Sequence, residues 1–372
     1  MAYGPKDSDA KKYSAVKFRI LIADILLSLG AVLFFWIFAS EALSQWVSAR
    51  SSSFFVSCFL YISAFLVFMY LVSFPLHFFS SFVLEKKFGL SERSFLSWLK
   101  DEAKAVTLSF ILYITCAEVF YLVLRAFPGS WWIVVSSLWV LFSVVLARLL
   151  PVLIVPLFYK YTPVEEEELK EAIFELSGKA GIPLTDVLKI DLSSKTRKAN
   201  AALVGLGGTR RVVLGDTLIS AFPLDEVRVV VAHEFGHLKY RHIWKLLAFS
   251  AITAYLGFYL LYMAAAQIAA ATGAPGVDDL SLFPALVLLM GVFGFAVLPV
   301  QNLFSRILEK QSDRFALELT GNAKAFVGAM ERLAGMNLAE KSPALLKKIF
   351  FYDHPPIAER IEMAVSSGNR KA

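Results

Sequence analysis

The sequence predicts a mostly α-helical, polytopic membrane protein with about six transmembrane helices and a small α+β domain. The first observation is composition, because 57% of the 372 residues are hydrophobic and only 18% are charged. Soluble globular domains carry roughly 25% charged residues. The second observation is a series of six apolar stretches, each able to supply the ~20 residues that a membrane helix needs. The third is an alternation of connections that are rich and poor in Lys and Arg.

The six predicted spans consist mainly of apolar residues. They lie within residues 20–40, 51–84, 105–124, 131–150, 246–277 and 280–305. A cleaved secretory signal is an alternative interpretation of the first stretch, but the apolar core of such a signal is only about 7–15 residues long. The first stretch is longer, and we therefore predict that it remains as an uncleaved helix.

The basic residues of the connections predict how the chain is oriented. Lys and Arg are concentrated in the N-terminal segment, in the loop 85–104 and in the segments 160–245 and 306–372, whereas the connections between them carry one Arg or none. Short basic loops remain on the cytoplasmic side of a membrane. We therefore expect a multi-pass protein whose termini and polar segments are all cytoplasmic.

These features divide the chain into five segments. They are a basic N-terminal tail (1–17), membrane helices one to four (18–160, with the cytoplasmic loop 85–104), the first part of a polar domain (161–245), membrane helices five and six (246–305) and the second part of the polar domain (306–372). The charge and the Gly-Pro pair of the tail predict that it is not ordered. The two polar parts face the same side and can meet as one domain.

The polar domain has the sequence pattern of mixed α and β structure. Strands are predicted at 187–192, 198–205 and 211–214. Gly207-Gly208 is typical of a hairpin turn, and Thr162-Pro163 is typical of a helix start. Pro223 and the acidic pair that follows it predict a helix from Asp225 to Tyr240.

Composition also excludes several classes of function. Cys58 and Cys116 both lie in apolar stretches, far from other metal-binding residue types, which excludes a disulfide framework and a cysteine-based zinc site. The net charge of +6 comes without a dense basic run, so we expect no nucleic-acid partner. The partners we expect are the lipid bilayer and whatever the polar domain binds.

The predicted helix 225–240 contains the motif His233-Glu234-Phe235-Gly236-His237. Residues four apart lie on one face of a helix, so the imidazoles of His233 and His237 can converge on one metal ion. Glu234 projects beside them and can reach a metal-bound water. Zinc suits this set because it takes nitrogen and carboxylate ligands and can keep an open catalytic position. The motif therefore predicts one catalytic Zn²⁺ per chain, and two solvent-facing histidines are the alternative.

A third protein ligand is expected to lie elsewhere in the chain. Glu309 follows the sixth span directly, and Asp313 lies one helical turn further on. Glu309 as ligand, with Asp313 bonded to a ligating histidine, is a sensible arrangement. An amphipathic helix that merely displays charges is the alternative. His242 is a rival third ligand, but it lies five residues beyond His237 and well round the helix.

Two further residues are candidates for handling substrate. His354, followed by two prolines, could donate a hydrogen bond to the oxyanion of a tetrahedral intermediate. Asn200 could hydrogen-bond to the backbone of a substrate. Both could equally be turn or capping residues.

Taken together, these motifs resemble those of the membrane-embedded zinc CAAX prenyl endopeptidases and their prokaryotic relatives. The matching segments are the loop pattern 82–90, Asn200-Ala201, 213–218, the HEFGH motif at 233–237, Glu309 with Asp313, and His354-Pro355-Pro356 with Glu359-Arg360. The order and approximate spacing of these segments agree with that family from about residue 55 onward.

The resemblance implies a role for each matching residue. Zinc would be bound by His233, His237 and Glu309, with Glu234 as general base. Asp313 would be a supporting acid or a catalytic proton donor, Asn200 and His354 would hold substrate and transition state, and Arg360 would be an ion-pair partner. It also implies a water-filled chamber enclosed by the spans and a peptide bound in extended form along an edge strand. The eukaryotic enzymes have seven spans, one more than the six counted here.

The sequence therefore predicts an integral-membrane zinc metalloendopeptidase. Its substrates would be CAAX-type or lipidated C-terminal peptides, or alternatively damaged membrane proteins in a quality-control role. A channel or transporter with a structural zinc is a more remote alternative, and a structural zinc would have a fourth protein ligand in place of water.

Overall fold

Six long apolar helices dominate the computed structural model, which describes residues 7–205 and 209–369. Within those residues, the helices long and apolar enough to cross a membrane are Ser8–Ser48, Phe54–Lys87, Phe95–Ala126, Trp131–Leu157, His242–Thr272 and Leu280–Thr320. The predicted six-span architecture is confirmed. Several helices continue beyond the apolar stretches, because the polar residues that flank them are also good helix formers.

The first four spans are built from six α-helices. These are α1 (Asp7–Phe35), α2 (Glu41–Ser48), α3 (Phe54–Phe78), α4 (Leu84–Lys87), α5 (Phe95–Ala126) and α6 (Trp131–Leu149). Single π-helical turns at Trp36–Ser40 and Phe79–Val83 connect α1 to α2 and α3 to α4. Aromatic side chains fill the space between these helices, and Phe35 of α1 packs edge-on against Phe65 of α3 with ring centroids 5.1 Å apart.

The N-terminal helix begins earlier than the sequence analysis predicts. Residues 7–17 were assigned to a disordered tail, but α1 starts at Asp7. Its Tyr13 is buried, packs against Phe88 and donates a hydrogen bond to the Glu85 carboxylate, which also accepts from Lys198. These contacts give the charged first turns of α1 a partner that the sequence pattern did not reveal.

The polar domain combines a four-stranded sheet with helices from both polar segments. The strands are β1 (Tyr161–Pro163), β2 (Asp186–Ile190), β3 (Ala201–Val204) and β4 (Arg211–Gly215), in the order β1-β2-β4-β3. Pairing is parallel between β2 and β4 and antiparallel elsewhere. Strand β3 therefore lies at an edge of the sheet.

The remaining elements complete the two polar parts and the last two spans. They are α7 (Glu167–Ala180), α8 (Asp216–Ala221), α9 (Leu224–Lys239), α10 (His242–Thr272), α11 (Phe283–Thr320), α12 (Ala323–Asn337), α13 (Leu345–Phe351) and α14 (Ile357–Asn369). One hydrophobic core joins these polar parts, with Ile173, Leu214, Phe235 and Phe326 all fully buried in it. Packing thus unites segments that are separated in sequence by two membrane spans.

The three predicted strands correspond to β2, β3 and β4 within a few residues. The turn predicted at Gly207-Gly208 lies outside the described residues. The helix predicted to start at Thr162-Pro163 is wrong, because these residues form β1 and α7 begins at Glu167. Since β1 is an edge strand, the missing N–H of Pro163 is tolerated there.

Two features of the fold bring the polar residues together. Helix α11 is continuous from the membrane into the polar domain and packs along α9. Helix α9 ends at Lys239, and Arg241 has a left-handed backbone conformation (φ 54°) before α10 starts at His242. The chain thus folds back sharply between the two helices.

Candidate metal centre

The two histidines of the HEFGH motif lie one turn apart on α9. Their Nε2 atoms are 3.0 Å apart and their ring centroids are 4.8 Å apart. The opposite face of α9 carries Val231 and Phe235, both fully buried in the core of the polar domain. Because the apolar face fixes the rotation of the helix, both imidazoles point in one direction, toward α11.

Gly236 allows α9 to approach α11 closely. A Cβ built at Gly236 would lie 2.8 Å from the Cα of Ser312, on the backbone of α11. The neighbour that requires a residue without a side chain at this position is therefore the backbone of α11. The close approach sets how far Glu309 and Asp313 lie from the histidines.

Glu309 on α11 faces both imidazoles. Its Oε2 lies 3.2 Å from Nε2 of His233, and its Oε1 lies 3.3 Å from Nε2 of His237. Ligand atoms of the three residues all fall within 4.8 Å of one another. The Oε2 atom is buried and has no hydrogen-bond donor among the described residues. A buried carboxylate oxygen without a donor, beside two imidazole nitrogens, fits a divalent cation.

Asp313 holds His233 from the other side of the ring. It is fully buried and accepts hydrogen bonds from His233 Nδ1 (2.8 Å) and from the guanidinium of Arg360 on α14 (2.8 Å from Nε). Burial by itself would lower the pKa of His233, but the carboxylates of Asp313 and Glu309 raise it to about 9. The negative field that favours the imidazolium also favours a metal cation at this position.

His237 is held differently, because its Nδ1 lies 3.0 Å from Nδ1 of His242. Burial lowers the pKa of His237 to about 4, and the neighbouring His233 adds to the effect. The imidazole is therefore neutral, as a metal ligand must be. His242 sits behind His237 rather than beside Glu309, because α10 begins after the sharp bend at Arg241.

The cleft beside the histidines contains the other predicted residues. Its volume is about 360 Å³, and its wall includes Asn200, Glu234 and His354. Burial raises the pKa of Glu234. His354 is half-exposed, and its Nε2 lies 3.4 Å from Oε2 of Glu309. The structure thus brings all seven predicted site residues to one place.

The pKa of His354 is raised, chiefly by its hydrogen bond to Asp353, at 2.8 Å from Nδ1. Helix α11 holds the chain segment that precedes His354. Arg306 donates to the carbonyl oxygens of Lys348 (3.0 Å) and Tyr352 (2.6 Å). Arg306 is a buried charge that the sequence analysis did not single out, although an Arg at the end of a span was a usable signal.

Asn200 immediately precedes the edge strand β3. Its side-chain oxygen accepts from the Ala201 N–H, and its carbonyl accepts from the Gly215 N–H. Asn337, which the sequence analysis missed, accepts from the Ala199 N–H at 3.0 Å. Nothing in the local sequence marked Asn337, since its partner is 138 residues away.

A larger cavity of about 910 Å³ lies among the membrane helices. Most of its wall is apolar, but Asp24, His77 and Glu102 also line it, and His77 is hydrogen-bonded to Glu102 at 2.9 Å. Tyr352 lines both this cavity and the cleft beside the histidines. The two spaces are therefore neighbours across one side chain.

A helix-borne His-Glu-His motif that meets an acidic residue from a membrane helix defines the class as an integral-membrane metallopeptidase. Comparison with known proteins agrees. Residues 163–367 match the model of peptidase family M48. Residues 6–160 match that of the CAAX prenyl protease N-terminal region, which is described as five membrane helices. The chain belongs to peptidase family M48 and is a metalloprotease.

Individual relatives support this assignment over most of the chain. The uncharacterized metalloprotease YhfN of Bacillus subtilis is 31% identical, over 97% of this chain and 85% of that protein. CAAX prenyl protease 1 of Saccharomyces cerevisiae is 32% identical, over 78% of this chain and 68% of the relative. The crystal structure of S. mikatae Ste24p superposes with a TM-score of 0.84 at 27% identity, covering 96% of this chain and 87% of that one.

We predict that Gly236→Ala destabilises the protein. Forcing a methyl group against the α11 backbone should cost about 1–3 kcal/mol, which outweighs the gain of up to about 1 kcal/mol that Ala brings to a helix. Thermal unfolding in detergent measures the change. Gly178→Ala on α7 is the matched control, because a Cβ there meets nothing within 4 Å, and it should be neutral or stabilising. Equal behaviour of the two variants would contradict the close-approach argument.

We predict that Arg360→Met is strongly destabilising. It leaves the Asp313 carboxylate buried without its cation, which should cost about 3–5 kcal/mol. Denaturant titration of the purified protein measures this loss. Arg228→Met is the control. Arg228 pairs with the exposed Glu175 at 3.0 Å, and loss of such a solvent-screened pair should change the stability little. A loss at Arg360 as small as that of the control would show that Asp313 does not need its guanidinium.

Proposed function

We propose that the chain is a zinc endopeptidase that binds one Zn²⁺ through His233, His237 and Glu309. The observation that carries this proposal is the buried Glu309 carboxylate. Its Oε2 has no hydrogen-bond donor among the described residues, and its two oxygens face the Nε2 atoms of His233 and His237. The donor set of two imidazoles and one carboxylate is the one that catalytic zinc uses, with a fourth position left for water. Asp313 would orient His233 from its Nδ1 side.

The remaining residues of the cleft supply the proton chemistry. When bound, zinc lowers the pKa of a water ligand to near 7 and polarises a carbonyl oxygen. Glu234 would accept the proton of the attacking water and deliver it to the leaving amine. The raised pKa of Glu234 suits a carboxylate that must hold that proton between the two steps. His354 would donate a hydrogen bond to the oxyanion of the tetrahedral intermediate.

The edge strand β3 supports binding of an extended peptide. Among the described strands, β3 pairs with β4 only, which leaves its outer edge available. A peptide added as a further strand would gain backbone hydrogen bonds along β3. Asn200, at the start of this edge and in the wall of the cleft, would then bond to the peptide backbone near the scissile bond.

We further propose that substrates are CAAX-type or lipidated C-terminal peptides. The names of the yeast relative and of the N-terminal family model point to CAAX processing. The cavity of about 910 Å³ among the membrane helices, with its mostly apolar wall, supports the proposal because it offers room for a lipid chain beside the cleft. Damaged membrane proteins are the alternative substrate class.

Glu234→Gln should abolish cleavage of a farnesylated CAAX peptide while leaving zinc bound. Loss of the general base is expected to lower kcat by about 10²–10⁴-fold, and a chelator should have a similar effect on the wild type. Peptide cleavage and zinc content are measured on the same purified protein. Glu168→Gln, on the exposed start of α7, is the matched control and should retain full activity.

A folded, zinc-loaded Glu234→Gln variant with wild-type cleavage would overturn the proposed mechanism. The substrate class is tested separately with an unlipidated peptide of the same sequence and with an unfolded membrane protein. Faster cleavage of the unfolded protein than of the farnesylated peptide would favour the quality-control alternative.

The positive-inside pattern supports a cytoplasmic polar domain, which we propose for this chain. In a background with Cys58 and Cys116 replaced by alanine, Glu165→Cys in the polar domain should react with an impermeant maleimide only after cells are permeabilised. Thr272→Cys, at the end of α10, should react in intact cells. The reverse labelling pattern would place the polar domain outside.

A further inference from the structure

We propose that His242, Gln311 and Lys245 form a hydrogen-bond relay that fixes the tautomer of His237. The relay would keep the proton of His237 on Nδ1 and leave the Nε2 lone pair facing His233 and Glu309. The inference rests on the proposed function, because it concerns how neighbouring residues set the tautomer of His237, one ligand of the proposed metal site. His242 acts here as a positioning residue and touches neither metal nor substrate.

The relay is a continuous chain of short contacts behind His237. Nδ1 of His237 lies 3.0 Å from Nδ1 of His242, and Nε2 of His242 lies 3.0 Å from Oε1 of Gln311. The Lys245 ammonium donates to the same Oε1 at 3.3 Å. His242 is only 1% exposed, so water does not compete for its two nitrogens.

The contacts permit a single arrangement of protons on neutral imidazoles. An ammonium only donates hydrogen bonds, so the Gln311 group that faces Lys245 must be the amide oxygen. That oxygen can only accept, and Nε2 of His242 must therefore carry the proton. A neutral imidazole has one N–H, which leaves Nδ1 of His242 as an acceptor. The Ser312 hydroxyl also lies 3.4 Å from this Nδ1, but Nδ1 of His237 is closer, at 3.0 Å. Two acceptor nitrogens would repel at that distance, so Nδ1 of His237 donates and its Nε2 has a free lone pair.

The bend between α9 and α10 requires a strained backbone conformation, and it places His242 where the relay needs it. Arg241 adopts the left-handed conformation (φ 54°), which is unfavourable for a residue with a Cβ. A helix continued from α9 would place residue 242 round the helix and away from His237. The bend instead returns His242 to a position directly behind that ring.

The Nδ1 atoms of the two histidines thus donate to different hydrogen-bond acceptors. Nδ1 of His233 donates to the Asp313 carboxylate, whose charge is balanced by Arg360. Nδ1 of His237 donates to the imidazole of His242. Nε2 of His242 in turn donates to the amide oxygen of Gln311, which also accepts from the Lys245 ammonium. Both sets of contacts direct the Nδ1–H away from the centre, so that both Nε2 atoms converge with the Glu309 carboxylate on one point.

The test is zinc affinity of the full-length protein in detergent, measured by competition with a fluorescent chelator after zinc removal. His242→Phe should weaken zinc binding by about 10–100-fold, as is typical of residues that orient metal ligands. His242→Gln should stay close to the wild type, because its amide oxygen can accept from Nδ1–H of His237. A mere packing role predicts the opposite order, since Phe fills the ring volume better than Gln.

The matched control is His77→Phe, which removes a histidine that bonds to Glu102 in the membrane helices, and it should leave zinc affinity unchanged. Equal zinc affinity of His242→Phe and the wild type would overturn the relay alone. A wild-type protein that binds no zinc would instead overturn the proposed function, and the relay with it.

Substitutions of the half-buried Gln311 provide a second test of the relay if His242→Phe does not fold. Gln311→Met removes the oxygen that fixes the tautomer of His242 and should weaken zinc binding in the same direction, whereas Gln311→Glu keeps an acceptor and should retain it. The visible spectrum of the Co²⁺-substituted protein should change with Gln311→Met and not with Gln311→Glu. Identical zinc affinities and spectra for these two variants would overturn the relay.

Discussion

The packing of α9 against α11 is the contact on which the rest of the site depends. The histidines come from one helix, while Glu309, Asp313 and Gln311 come from the other, so every distance in the centre follows from how closely the two axes approach. That separation is set where Gly236 meets the backbone of Ser312. A helix interior normally disfavours glycine by about 1 kcal/mol relative to alanine, and here the absence of a side chain makes the approach possible.

Buried charge is the second constraint, because the centre collects two carboxylates in a region from which water is largely excluded. Asp313 is stabilised by Arg360 from α14, a helix contributed by the last segment of the chain. Among the described residues, Glu309 has no comparable arginine and its close charged or titratable neighbours are imidazoles. Since a buried carboxylate without a counter-charge is costly, this asymmetry supports the proposed metal site.

Much of this architecture could be predicted from the sequence because the signals are local. Spans are visible as apolar stretches, and the spacing of His233, Glu234 and His237 specifies one helical face. The features that sequence missed depend on contacts between distant segments. The helical start of α1 depends on Glu85 and Lys198, and the role of Asn337 depends on the backbone of Ala199. The location of His242 depends on one left-handed residue, Arg241, which carries no glycine signal.

The continuity of α11 has a consequence for how substrate reaches the site. The same helix crosses the membrane and carries Glu309, and its Asn302 and Arg306 hold the segment that ends at His354. The depth of the centre relative to the bilayer is therefore fixed by a rigid element rather than by a linker. Because Tyr352 of that segment lines both the membrane cavity and the cleft, the segment that α11 holds connects the two spaces. Under the proposed function, the separation between the cavity and Glu309 would limit where along a lipid-bearing peptide cleavage occurs, and the contacts of α11 with this segment would set that separation.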